Sequence, residues 1–88
     1  MEDKKPDQIN LKVKGQSPDL PEMFFKVKME MQFEKLFESY CKRSGKAISS
    51  VRFMFDGERL SLKDTPLKYN MQNEDLIEVF VEQQGGFN

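Results

Sequence analysis

Few residues of this chain could do chemistry, and they narrow the choice quickly. Histidine is absent, which removes the usual general base, the commonest metal ligand and every Cys-His or Ser-His pair. Cys41 is the only cysteine; it cannot form an intramolecular disulfide and is too little for a zinc site. No Asp-rich loop has the spacing of a calcium site. Neither a catalytic centre nor a metal or cofactor is therefore expected. What stands out is the end of the chain, Gln83-Gln84-Gly85-Gly86-Phe87-Asn88, where two glycines follow an apolar run from Leu76 to Val81. Paired glycines cost backbone entropy and bury no side chain. Such a tail is either a frayed end or a thin length of backbone shaped for a narrow slot.

The body behind that tail is small. Eighty-eight residues with 38% hydrophobic and 33% charged content suit one globular domain with a modest core. Fourteen basic against 15 acidic residues leave a net charge of -1, so bulk charge gives no push toward nucleic acid or membrane. No apolar run approaches the roughly 20 residues of a membrane span. Residues 1–8 are polar and charged, read as a disordered arm, and lack the apolar stretch of a signal peptide.

Periodicity supplies the elements. Ile9-Asn10-Leu11-Lys12-Val13-Lys14 alternates apolar and polar residues, as a half-buried strand does. Gly15 to Pro21 carries turn residues, and Met23, Phe25 and Val27 alternate beyond it, completing a hairpin. Phe33, Leu36, Phe37, Tyr40 and Cys41 then form one apolar stripe at helical period. Glu34 near its start and Lys42 and Arg43 at its end complement the helix dipole, and Gly45 suits a left-handed stop. No Ser or Thr offers an N-cap between Met29 and Gln32. Val51 to Phe55 is a strand, Asp56-Gly57 a tight hairpin signal, and Glu58-Arg59-Leu60 the return. Lys63 to Leu67 suggests a short helical turn, and Leu76 to Val81 the last strand. The order ββαβββ predicts an α+β domain, one mixed sheet with one main helix across it, the β-grasp arrangement.

Those segments, taken in order, resemble the small ubiquitin-like modifier (SUMO) family. The resemblance rests on Ile9-Asn10-Leu11-Lys12-Val13, Gly15-Gln16, Phe25-Lys26-Val27-Lys28-Met29 and Glu38-Ser39-Tyr40-Cys41. It continues through Val51 to Gly57, Asp64-Thr65-Pro66, Asp75 to Val79 and Gln83-Gln84-Gly85-Gly86. Ubiquitin itself carries a basic residue before its glycines, whereas Gln84 stands there in this chain. The resemblance implies a β-grasp domain over 9–82 and a flexible tail over 83–88. It implies a protein tag that acts as substrate, not enzyme. A SUMO-specific cysteine protease would cleave between Gly86 and Phe87. Activating and conjugating enzymes and ligases would then join Gly86, reached through the slender Gly85, to lysines of target proteins. A monomer of nucleus and cytoplasm would follow.

The resemblance also implies two non-covalent surfaces. Short hydrophobic motifs with acidic flanks would add as a strand beside Phe24, Phe25, Lys26, Val27 and Lys28, facing Lys35, Leu36, Tyr40 and Arg43 of the helix. Phe25, Val27 and Leu36 would line that groove and the basic residues would attract the flanks. The plainer reading makes the apolar residues core and the lysines guards against edge aggregation. Phe24 departs from the polar residue common at that place, and the loop Ser17 to Glu22 is slightly long. Arg52, Asp56, Gly57, Glu74 and Asp75 match a contact with the conjugating enzyme, or are ordinary turn and loop residues. Val27-Lys28-Met29-Glu30 fits the acceptor pattern of the same modification, although at a strand end. Cys41, lacking a basic partner, reads as a small buried hydrophobe. Rival functions are an unconjugated interaction module and a β-grasp sulfur carrier, whose glycines end the chain; a nucleic-acid binder fits least.

Overall fold

The computed structural model describes residues 7–82, so the first six residues of the arm and the tail from Gln83 to Asn88 lie outside the described residues. Alternation builds the first hairpin. Strand β1 (Gln8–Gly15) turns Ile9, Leu11 and Val13 inward, and β2 (Glu22–Lys28) pairs antiparallel with it, Leu11 opposite Phe25. The strand begins one residue before Ile9, and the Asp7 carbonyl accepts the Met29 N–H at 2.9 Å. Helix α1 (Phe33–Ser44) follows, then β3 (Val51–Phe55), β4 (Glu58–Arg59) and β5 (Asp75–Val81). The sheet runs β2-β1-β5-β3-β4, with β1 and β5 parallel at its centre and the other pairs antiparallel.

The core is the layer between helix and sheet. Phe33, Leu36, Phe37, Tyr40 and Cys41 are the buried face of α1, as the helical spacing requires. The Phe37 ring stacks on Phe53 of β3, centroids 3.7 Å apart and planes nearly parallel, and Phe33 stacks on Phe37 at 5.2 Å. Tyr40 meets Phe53 edge-on. Burial holds the Cys41 thiol above its ordinary pKa, so it is a packing group.

The missing N-cap is supplied from far along the chain. Gln32 makes no side-chain cap; instead the Phe33 and Glu34 N–H groups donate to the carbonyls of Asp64 (2.9 Å) and Leu62 (3.0 Å). These bonds satisfy donors that every helix start leaves open. Gly45, at φ 75°, closes the other end in the left-handed conformation and donates to the Cys41 carbonyl.

Two helical turns differ from expectation. The turn expected at Lys63 to Leu67 forms instead at Leu67–Tyr69, after Pro66 in helical conformation. Asp64 is engaged elsewhere: its carboxylate accepts from Lys68 Nζ (3.1 Å), the Tyr69 hydroxyl (2.9 Å) and the Ser61 N–H. The Lys68 and then Tyr69 bonds hold that carboxyl below its ordinary pKa. A second turn, Ile48–Ser50, carries no apolar period and left no signal in the sequence.

One glycine is required by space. A Cβ at Gly15 would collide with the Cβ and backbone carbonyl of Leu20, which is buried where the hairpin loop folds back. Gly15→Ala is expected to lower stability by about 2 kcal/mol, since backbone must move to admit the methyl group. Urea unfolding checks this; an unchanged midpoint would contradict the close approach.

Candidate functional site

Strand β2 is an edge of the sheet: β1 covers one side and no strand among the described residues covers the other. Its outer N–H and C=O groups therefore form a template for an added strand. Helix α1 lies beside it, fastened at two points. The Tyr40 hydroxyl donates to the Pro21 carbonyl at 2.6 Å, and the Arg43 guanidinium lies 5.5 Å from the Phe25 ring centroid.

Strand alternation sorts the expected groove residues into two sets. Met23, Phe25 and Val27 face the helix, and Glu22, Phe24, Lys26 and Lys28 face outward. Of the residues expected to line the groove, Phe25 alone keeps part of its surface. Val27 and Leu36 are 4% and 3% exposed and Tyr40 is fully buried; they are core and the floor of the groove. The reason is the register: Val27 sits opposite Ile9, and α1 closes over both. Lys35 and Arg43 are exposed on α1, Lys26 and Lys28 on β2. The open strip on the helix side is thus Phe25 with Arg43 over its ring, while Lys26 and Lys28 stand on the outer face of the same strand. Phe24, at 65% exposed, belongs to the outer face of the sheet.

A second cluster forms where β3 ends and β5 begins. Asp56 and Gly57 connect β3 to β4 with φ of 53° and 83°, the positive pair that a two-residue hairpin loop of this kind needs. The pairing of Met54 with Glu78 carries this turn toward the start of β5, where Asp75 lies. Glu74 is held at φ 72°, its N–H donating to the Asn10 carbonyl at 2.6 Å. Four residues of the expected enzyme contact thus share one end of the sheet. Arg52 does not join them. It pairs with Phe80 near the other end of β3, its guanidinium over the Phe80 ring and 4.0 Å from Glu82.

Glu82 was not among the residues the sequence singled out. Its carboxylate also reaches Arg59 at 3.4 Å, and its N–H donates to the Ser50 carbonyl at 2.8 Å, so the root of the tail is bound to β3 and β4. Only the charge signs could have hinted at that link. Gly85, Gly86 and Phe87 lie outside the described residues. In the acceptor-like Val27-Lys28-Met29-Glu30, Lys28 is exposed, but Val27 and Met29 are buried and the Met29 N–H is bound to Asp7. Among the described residues no group of acidic residues and cysteine is placed to hold a metal ion, and no helix is long and apolar enough to cross a membrane.

Comparison with known proteins places this geometry. The family model described as Ubiquitin-2 like Rad60 SUMO-like matches residues 9–81. The ubiquitin-like protein pmt3/smt3 of Schizosaccharomyces pombe is 48% identical over 80 residues, 91% of this chain and 67% of that protein. Small ubiquitin-related modifier 2 of Arabidopsis thaliana is 47% identical over 88 residues, 97% of this chain and 84% of that protein. Among solved structures, Caldiarchaeum subterraneum ubiquitin superimposes with a TM-score of 0.78 at 13% identity, covering 90% of this chain and 99% of its own. A de novo designed protein based on ubiquitin gives 0.77 at 19%, covering 94% and 99%. The structural likenesses establish the ubiquitin-like β-grasp fold. Together with the sequence matches they show that the chain belongs to the SUMO-like family of ubiquitin-like modifiers.

Proposed function

We propose that this protein is a covalent tag, joined through the carboxylate of Gly86 to lysines of other proteins. The observation that supports this reading most is positional. The family match runs to residue 81, and only Glu82, Gln83 and Gln84 separate it from Gly85-Gly86. A cysteine protease specific for the family hydrolyses the Gly86–Phe87 bond and releases Phe87-Asn88. An activating enzyme adenylates the new carboxylate, a thioester carries the acyl group to a conjugating enzyme, and a lysine amine displaces the thiol with the help of ligases. Glycine is needed because the acyl carbon must enter a tunnel and stay open to attack, and a side chain would meet its walls. The domain contributes shape and the enzymes contribute catalysis. Nucleus and cytoplasm are the compartments that suit such a tag.

The β2 edge serves a second role in this reading. Extended hydrophobic motifs add beside β2, bonding to its backbone and packing on Phe25, while Lys26, Lys28, Lys35 and Arg43 attract acidic flanks. The cluster of Asp56, Gly57, Glu74 and Asp75 is where the conjugating enzyme docks, and Arg52 acts instead at the root of the tail.

Two measurements test these roles. Gly86→Ala is expected to lose attachment to targets in a reconstituted reaction with activating and conjugating enzymes; full-rate attachment would remove Gly86 as the acyl donor. Lys26→Glu with Lys28→Glu is expected to weaken an acidic-flanked peptide by roughly tenfold at low salt, and a neutral-flanked one much less. Titration calorimetry reads both, and equal losses would contradict the electrostatic role.

A further inference from the structure

We infer that the β2 edge reads both faces of an added strand, and that Phe24 selects an aromatic residue on the peptide's outward side. This inference rests on the proposal that extended peptides add to β2. An added strand lies about 5 Å from its neighbour, with its side chains alternating between the two faces of the sheet. Residues of the peptide that face α1 meet Phe25. The residues between them face outward, and they run alongside Phe24, Lys26 and Lys28.

Phe24 is suited to be read there. It is the most exposed of the large hydrophobic residues among those described, at 65%. Its cross-strand partner on β1 is Lys12, whose Nζ lies 5.6 Å from the ring centroid and 3.4 Å from Glu22. The ring is therefore bounded on the β1 side and open on the side where a peptide strand would lie. An aromatic residue placed beside it adds a cross-strand ring pair, one of the side-chain pairs that stabilise neighbouring strands. Lys26 and Lys28 follow Phe24 on the same outward face, opposite Asn10 and Gln8. An acidic residue two places beyond the aromatic one would meet them. The occupant is thus an extended peptide with apolar residues facing the helix, and an aromatic then an acidic residue facing out.

The test uses two synthetic peptides with the same acidic flank and an Ile-Xaa-Val core, Xaa being Phe or Ser, titrated against the full chain and against Phe24→Thr. The Phe peptide is expected to bind the natural chain about fivefold more tightly than the Ser peptide, the effect of one aromatic cross-strand pair. Phe24→Thr is expected to remove that preference and to hold the Ser peptide within about twofold of its original affinity. Thermal unfolding of the variant, which changes an exposed strand residue, confirms that it is folded. Equal affinities of the two peptides for the natural chain overturn the inference and leave the edge-docking proposal standing. So does a preference that persists in Phe24→Thr. Failure of both peptides to bind the natural chain overturns the two together.

Discussion

The stack of Phe37 on Phe53 holds the two layers of this protein together, and the other features take their places from it. Two rings in parallel contact fix how far α1 stands above β3, and Phe33 and Tyr40 extend the contact along the helix. Fully burying one such ring contributes roughly 1.5–3 kcal/mol, a large share of the margin available to a domain of this size. With the helix so placed, its other side reaches β2. There the Tyr40 hydroxyl and the Arg43 guanidinium fasten it to Pro21 and Phe25. The width of the groove beside the free edge is thus set by aromatic packing three strands away.

An edge strand is a hazard as well as a site, because its unpaired backbone invites any extended chain. Strand β2 meets this with Lys26 and Lys28, which repel a second copy of the same edge and favour an acidic partner. The other end of the sheet is handled differently. Its last strand, β4, has only two residues and hangs from a tight positive-φ turn. Arg59 on that strand and Arg52 on β3 both turn to Glu82. One edge is kept open, and the other is short and tied to the start of the tail.

Much of the fold was legible because it depends on local alternation. The five-residue helical stripe, the period-two strands, the Asp56-Gly57 turn and the Gly45 stop each announce themselves within a few neighbours, and each stands where expected. Most of what was missed depends on contact over long separation. The cap of α1 comes from Leu62 and Asp64, about thirty residues beyond the helix start, so no local pattern could show it. Side-chain demands from Ser61, Lys68 and Tyr69 draw on Asp64 and leave the helical turn to begin after Pro66. In the site, the resemblance gave the membership of the β2–α1 region but not the degree of cover. Val27 and Leu36 proved to be core because Ile9 and the helix close over them, whereas Phe24 fell on the outer face by simple alternation. The separation of Arg52 from Asp56 follows from the β3–β5 register, which a single sequence does not reveal.

Gly86 as the reactive end of the mature protein is the proposal on which every covalent step rests. The most direct measurement is the intact mass of the chain after incubation with a SUMO-specific protease. Loss of Phe87-Asn88 and nothing more is the predicted result. An unchanged mass, with a control precursor cleaved in the same tube, would contradict it and leave a SUMO-like binding module that is never conjugated.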